Sequence, residues 1–198
     1  MSAPDSQTLA VYDAKAREYG DKFVDAGTDN GLLRFIASLR PGARVLDLGC
    51  GVGHSAARMR DDGLEVVALD ASAGMAAEAE RRYGLDVIVS DFDALPDLGR
   101  FDGVWASFSL LHAPRADLPR HLQAIHAALS PGGQFMIGMK VGHGTGRDPL
   151  GRIYTYVGAD ELQALLTKAG FTIDRLYTGA DEGLDGRVAP WIVLFAHA

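Results

Sequence analysis

Hydrophobic and polar positions follow two alternating patterns along most of the chain. Short apolar runs predict five strands, at residues 44–48, 64–69, 85–89, 101–106 and 134–139. Segments of helical periodicity lie between them, at about 53–62, 73–83 and 116–129. Strands that alternate with helices of this length form βαβ units. We therefore expect a doubly wound α/β domain, with a mostly parallel sheet and helices on both faces.

The amino end of the chain departs from this alternation, because it contains two helical patterns in succession. The first places Tyr12, Ala16, Tyr19 and Phe23 on one face, at a spacing of three to four residues. The second covers about residues 32–39 and is stopped by a following proline and glycine. Two helices are therefore predicted before the first strand.

The carboxyl end is also different, because its last two apolar runs are not separated by a helix. A helix is predicted over about 162–169, followed by strands at 171–177 and 191–196. The segment between these strands, 178–186, is rich in glycine and acidic residues and is predicted to be a loop. Parallel strands need a crossover connection, so this last pair should be antiparallel.

Composition narrows the class of protein. The 198 residues suffice for one domain, and 47% of them are hydrophobic, which is typical of a folded globular chain. A net charge of −7 disfavours binding to nucleic acid, which needs a basic surface. The single cysteine excludes an internal disulfide and suits a reducing compartment. With no secretory signal and no apolar run long enough to span a membrane, a cytoplasmic location is expected.

The most informative motif is a strand that runs into three alternating glycines, Gly49, Gly51 and Gly53, and then into a helix. Glycine permits positive φ angles and a close approach of backbone N–H groups to a ligand. The helix that follows directs its positive end into the same crevice. The spacing Gly-x-Gly-x-Gly differs from the dinucleotide fingerprint Gly-x-Gly-x-x-Gly, because residue 54 is histidine.

Acidic residues stand at the expected carboxyl edge of the sheet. Asp47 precedes the first glycine by two residues and could hold a cationic amine near the loop. Asp70 ends the second strand, where a carboxylate can accept both hydroxyls of a ribose, and Asp91 follows the third strand. Together with the glycines, these positions indicate a site for a nucleoside joined to an amino acid.

With these motifs, the sequence resembles the class I S-adenosylmethionine-dependent methyltransferases, in particular the small bacterial members that act on small molecules. The resemblance covers most of the chain and also includes residues 70–75, 91–92, 101–102 and 129–133. It implies a seven-stranded Rossmann-like sheet with an antiparallel C-terminal strand, S-adenosylmethionine as the cofactor and S-adenosylhomocysteine as the product. Residues 1–198 would form a single domain, in which 1–26 contain a helix over the site and 140–158 an acceptor-side loop.

The resemblance also implies which residues bind the cofactor. Asp47 and the glycines would surround its methionine part, Asp70 would bind the ribose, and Asp91 would accept from the adenine amino group. The full implied set is Asp47, Gly49, Gly51, Gly53, Asp70, Ala71, Met75, Asp91, Phe92 and Ser107. Two of these residues have simpler interpretations, because Asp70 could cap a helix and Met75 could be a core residue.

Candidates for the methyl acceptor follow the fourth and fifth strands and line the first helix. His112 could act as a general base near neutral pH, and Arg147 with aromatic hydroxyls would suit a small carboxylate or other oxyanion. The candidate set is Tyr12, Tyr19, Phe108, His112, His143, Arg147 and Tyr154. Packing histidines, solvated loop charges and buried core tyrosines are the alternative interpretations.

The predicted reaction is methyl transfer to a small-molecule acceptor. No nucleic acid, membrane or metal is expected to take part. The sequence does not distinguish a monomer from a homodimer. Base methylation on nitrogen is disfavoured because Ala106-Ser107-Phe108-Ser109 stands where such enzymes carry Asn or Asp, two prolines and an aromatic residue. Two other functions stay open: a non-catalytic module that binds S-adenosylmethionine, and a nicotinamide-dependent oxidoreductase, which the glycine spacing opposes.

Overall fold

The computed structural model describes residues 3–22 and 29–198. Within them the helices are α1 (Ser6–Lys22), α2 (Asn30–Ala37), α3 (His54–Asp61), α4 (Ala73–Tyr83), α5 (Leu118–Ala128) and α6 (Ala159–Ala169). The strands are β1 (Arg44–Leu48), β2 (Glu65–Asp70), β3 (Val87–Val89), β4 (Phe101–Ala106), β5 (Leu129–Lys140), β6 (Thr145–Arg147), β7 (Ile153–Thr155), β8 (Thr172–Glu182) and β9 (Val188–His197). Short 3₁₀ helices cover Phe92–Leu98, Leu110–His112 and Arg115–Asp117. Phe23 and the end of the segment predicted as 1–26 lie outside the described residues.

Seven of the strands form one sheet in the order β3-β2-β1-β4-β5-β9-β8. Strands β1 to β5 are parallel, whereas β9 runs antiparallel to both of its neighbours, β5 and β8. This confirms the prediction of a doubly wound, mostly parallel sheet with an antiparallel strand at its carboxyl end. The order places β1 and β4 next to each other in the centre, so that their carboxyl ends open into one crevice.

Two segments predicted as loops contain strands. The loop expected at 178–186 is mostly strand, because β8 and β9 stay paired as far as Glu182 and Val188 and leave only a short turn. The expected loop at 140–158 contains the hairpin β6–β7, in which Thr145 pairs with Thr155. Glycine and acidic residues lower strand propensity, but in both segments a neighbouring strand supplies the backbone partners.

Local signals fix the helices around the crevice. Ser72 caps α4 by accepting a hydrogen bond from the Met75 N–H, and Gly84 ends that helix with a φ of 62°. Helix α1 docks on α4, because Asp13 accepts from the Ser72 hydroxyl at 2.6 Å and from the Gly74 N–H at 2.9 Å. A Cβ on Gly74 would lie 2.7 Å from the Asp13 Cα, so this contact requires glycine. Helix α1 therefore lies over the crevice.

Across the described part of the chain, no helix combines the length and the hydrophobicity that crossing a bilayer would require.

Candidate functional site

Two adjoining cavities occupy the carboxyl edge of the sheet beneath α1. The first contains about 910 Å³ of empty space and the second about 1120 Å³. Residues that line both cavities are Tyr12, Tyr19, Gly49, Gly51, Ser107 and Phe108. Because these shared residues form the boundary between the two spaces, the cavities are halves of one site.

The first cavity collects most of the residues predicted to bind the cofactor. Besides the shared residues, it is lined by Asp70, Ala71, Met75, Asp91 and Phe92, together with His112. Asp47 lies on the second cavity. Asp47 in β1, Asp70 at the end of β2 and Asp91 after β3 are therefore distributed over the two adjoining cavities.

Asp70 holds two backbone segments in place at the end of β2. Its Oδ2 accepts a hydrogen bond from the Gly51 N–H at 2.8 Å, and its Oδ1 accepts from the Ser72 N–H at 2.9 Å. Burial raises the pKa of this carboxyl group. Since the side chain that caps α4 is that of Ser72, Asp70 links the glycine loop to the start of α4 and does not act as the N-cap residue.

The three glycines of the loop have different roles, although all have positive φ angles. A Cβ on Gly49 would lie 2.3 Å from that of Ser109, and a Cβ on Gly53 would lie 2.5 Å from Leu85 Cδ1. These two glycines allow close packing within the protein. On Gly51 the nearest atom to a Cβ would be Tyr19 Cε1 at 3.8 Å. Gly51 thus leaves open space beside the backbone. Gly53, although predicted to bind the cofactor, lines neither cavity.

Asp47 is a buried carboxyl group with an unsatisfied atom. The residue is 2% exposed, and its Oδ2 has no hydrogen-bond partner among the described residues. Burial, with a smaller contribution from the charge of Asp70, raises the pKa of Asp47 to about 8. Two buried nitrogens of the same cavity, His54 Nδ1 and Trp105 Nε1, also lack partners within the described chain. Such groups are costly to leave unpaired, so this end of the site is suited to a charged ligand.

A hydrogen-bonded network joins the two cavities. His112 Nδ1 lies 2.6 Å from the carbonyl oxygen of Ile153, which can only accept, so Nδ1 carries the proton. His112 Nε2 is therefore the acceptor for the Tyr12 hydroxyl at 2.7 Å. The same hydroxyl accepts from Arg152 Nη1 at 3.1 Å. Burial lowers the pKa of His112 to about 4, so the ring is neutral at pH 7, with Nε2 as a hydrogen-bond acceptor.

Two cations line the second cavity. Arg152 is 2% exposed and donates from Nε and Nη2 to Asp148 Oδ2, at 2.9 and 2.7 Å. Lys140, the last residue of β5, places its Nζ 4.6 Å from the centre of the Tyr154 ring. Trp191 on β9 closes the same side of the cavity.

Phe108 has an unusual backbone conformation at the boundary of the two cavities. Its φ angle is 54°, which makes it the one non-glycine residue with positive φ in the described ranges 3–22 and 29–198. Bulky side chains rarely adopt this region, and such strain is concentrated at functional sites. The conformation directs the chain away from β4 directly beside the cavities.

The structure does not bring all predicted acceptor residues into the site. His143 is exposed and lines neither cavity. Arg147 also lines neither cavity, although its guanidinium pairs with Asp5, which lines the first cavity, at 2.9 and 2.7 Å. Both residues lie at the hairpin β6–β7, and this hairpin turns Arg152 and Tyr154, rather than Arg147, toward the interior.

Sequence reasoning missed Lys140, Arg152, His54 and Trp191 as site residues. Two of them had a usable signal. Lys140 ends a parallel strand, and parallel strands end at the edge where α/β domains bind ligands. Arg152 precedes Tyr154 by two residues, so the two side chains lie on the same face of an extended segment. Nothing in the local pattern marked His54 or Trp191.

Comparison with known proteins finds similarity over part of the chain. Residues 45–133 match the family described as "Methyltransferase domain". The chain is 41% identical over 100 residues to a demethylmenaquinone methyltransferase of Beutenbergia cavernae, covering 50% of this chain and 41% of the relative. It is 42% identical over 93 residues to a malonyl-[acyl-carrier protein] O-methyltransferase of Enterobacter lignolyticus, covering 46% and 36%. The match thus spans about two fifths of the length of these curated relatives.

A solved structure is similar over the full length of the chain. It is a 1,6-didemethyltoxoflavin-N1-methyltransferase of Burkholderia thailandensis, with a TM-score of 0.68 and 26% identity. The alignment covers 100% of this chain and 91% of the other. That structure was solved with 1,6-didemethyltoxoflavin and S-adenosylhomocysteine bound.

Proposed function

We propose that the chain is a class I S-adenosylmethionine-dependent methyltransferase, which transfers the methyl group of S-adenosylmethionine to a small-molecule acceptor. The observation that carries the proposal is the pair of adjoining cavities. The first is lined by most residues of the cofactor motifs, and the second by aromatic side chains and by charged side chains of both signs. A donor and an acceptor can therefore meet at the shared boundary.

The residues of the first cavity, together with Asp47 on the second, fit the cofactor. Asp47 offers an unpaired carboxyl oxygen to its cationic methionine end, and Gly51 leaves room for the ligand beside the backbone. Asp70 is placed to accept from the ribose hydroxyls, because each carboxylate oxygen has more than one acceptor site and each accepts one backbone N–H here. The remaining contacts that we propose are Gly49, Ala71, Met75, Asp91, Phe92 and Ser107, all of which line the first cavity.

The second cavity is the proposed acceptor site. It lies under α1 and beside the hairpin β6–β7, and Tyr12, Tyr19, Phe108 and Tyr154 form part of its wall. A concave site with aromatic walls and a few polar groups suits a small molecule. We place the reaction in the cytoplasm, in line with the single cysteine, Cys50, which is buried and unpaired.

S-adenosylmethionine supplies a methyl group already activated by the positive charge of its sulfonium. The protein then has to align the acceptor and exclude water, and such positioning can contribute several kcal/mol. An acceptor that carries a proton also needs a base. We assign this role to His112 acting through Tyr12: the Tyr12 hydroxyl takes the proton of the acceptor as it passes its own to His112 Nε2, while Arg152 donates to the same oxygen.

The proposed cofactor site is tested by calorimetric titration of Asp70→Asn with S-adenosylhomocysteine. We expect affinity to fall by about tenfold to a hundredfold, because the ribose hydroxyls lose a charged acceptor. Asp86→Asn is the matched control, since Asp86 is exposed and lines neither cavity. Unchanged affinity in a folded Asp70→Asn protein would place the ribose elsewhere.

A second measurement separates catalysis from binding alone. Formation of S-adenosylhomocysteine is followed across a panel of small hydroxyl, amine and thiol acceptors. Binding of S-adenosylmethionine without product from any acceptor would instead favour a non-catalytic binding module. Tight binding of NAD with no binding of S-adenosylmethionine would contradict the assignment altogether.

A further inference from the structure

The charged side chains of the second cavity are not evenly balanced. Arg152 is neutralised by Asp148, and both side chains are at least 95% buried. At the rim, Asp181 accepts from Trp191 Nε1 at 2.7 Å, and Glu182 pairs with Lys22 at 2.8 Å. Each of these charged groups is therefore occupied by a partner from the protein itself.

Of the two cations that line this cavity, Lys140 is the one without such a partner among the described residues. Its Nζ makes no hydrogen bond and has no carboxylate oxygen within 4.0 Å in the described ranges 3–22 and 29–198. The amine is half-buried and lies over the Tyr154 ring, a contact that attracts a cation without neutralising it. Burial lowers the pKa of Lys140, and the more distant charges of Asp185 and Asp148 oppose this effect only in part. The second cavity thus has a positive charge available for a ligand.

Aromatic side chains enclose this charge. Tyr154 lies between Lys140 and the proposed proton acceptor, because its ring centre is 4.6 Å from Lys140 Nζ and 4.8 Å from the centre of the His112 ring. Tyr12 and Trp191 add further flat surfaces. Flat rings pack best against other flat rings, in stacked or edge-to-face arrangements.

We infer that the methyl acceptor is a planar aromatic molecule that carries a negative charge, with the charge bound by Lys140 and the ring held among the aromatic side chains of the second cavity. The inference rests on the proposed function, since it names the class of acceptor for that site. The accepting atom of such a molecule then faces Tyr12 and the boundary with the first cavity, while its charged group remains at Lys140.

The test compares isosteric ligands that differ in charge. Benzoate and benzamide, and 4-hydroxybenzoate and 4-hydroxybenzamide, are titrated by ligand-observed NMR with and without S-adenosylhomocysteine. We expect each carboxylate to bind about tenfold more tightly than its amide, because a charged hydrogen bond to a partly buried ammonium is gained. Lys140→Met and Lys140→Gln should remove this preference, and Lys140→Arg should retain it.

Lys168→Met is the matched control, because it makes the same change of net charge on the exposed end of α6. Three results would each overturn the inference. The acid and the amide could bind equally well, the preference for the acid could survive in both neutral Lys140 variants, or neither probe could bind. Calorimetry with S-adenosylhomocysteine on the same samples keeps the two proposals apart. If the cofactor product binds and the anion preference is absent, the inference fails and the proposed function stands; if the product does not bind, the proposed function fails first.

Discussion

The two halves of the site are built in different ways. The cofactor half is local: Asp47, Gly49 and Gly51 lie within five residues of one another, and Asp70 joins them through a backbone hydrogen bond. The acceptor half is assembled from distant segments, since Tyr12 on α1 meets His112 and Arg152. The spacing of residues in the sequence can predict a ligand site that is made from one loop and adjacent strand ends. It cannot predict a site whose side chains lie far apart in the sequence.

Among the changes that distinguish the cofactor half from the acceptor half, we expect Gly51→Leu to have the largest effect on ligand affinity. A leucine there would be forced to a φ of 56° and would fill the space beside the loop, so we expect affinity for S-adenosylhomocysteine to fall by about a hundredfold or more. Gly63→Leu is the control, because Gly63 has a similar φ of 87° with nothing within 4 Å of its Cβ position. The control shares the backbone strain but should bind normally. Equal losses in both variants would show that strain, rather than occupancy of the cavity, causes the effect.

The difference between the halves explains what the sequence could predict. The order of strands and helices, the antiparallel last pair and the acids at the strand ends follow from hydrophobic periodicity and from the rule that parallel strands end at a common edge. Asp47 is an instructive case: its position was predicted, but its unpaired oxygen and raised pKa depend on burial that only the fold creates.

The acceptor half was predicted less well for a physical reason. Arginines 147 and 152 lie on the same short hairpin and look equivalent in sequence. Which of them enters the cavity depends on the direction in which the hairpin folds, and on Asp5 and Asp148, which compete as partners. Arg147 and Asp5 are 142 residues apart in sequence, so no local pattern could predict that they pair.

A smaller effect is expected from the buried network of the acceptor half as the pH changes. The pKa of His112 is about 4 in the folded protein and near 6.5 in an unfolded chain, so below pH 6.5 the unfolded state binds a proton that the folded state excludes. Stability should therefore be lost as the pH falls, by about 2 kcal/mol between pH 7 and pH 5 from this residue. His112→Gln should show a correspondingly shallower slope.

Urea unfolding at a series of pH values measures this difference directly. His126→Gln is a suitable control, because His126 is also partly buried on α5 but lines neither cavity. If wild type and His112→Gln lose stability in parallel, the His112 ring is not held neutral. In that case the assignment of Nε2 as the acceptor for Tyr12 would also have to be abandoned.

We expect Arg147→Gln to have the smallest effect on stability and activity. Its result decides whether Arg147 binds the acceptor or only pairs with Asp5. If Arg147 binds the acceptor, Arg147→Gln should raise the KM for an anionic acceptor by about tenfold and leave stability unchanged. The structure favours the opposite result, since the ion pair with Asp5 is partly exposed, with side-chain exposures of 38% and 26%. Such an exposed pair contributes little to stability, and less at high salt. We therefore expect a small loss of stability and an unchanged KM.

A double-mutant cycle with Asp5→Asn isolates the contribution of this ion pair, because Asp5 also accepts hydrogen bonds from Thr8. A coupling energy of zero would mean that the contact between Arg147 and Asp5 does not hold α1 against the hairpin β6–β7.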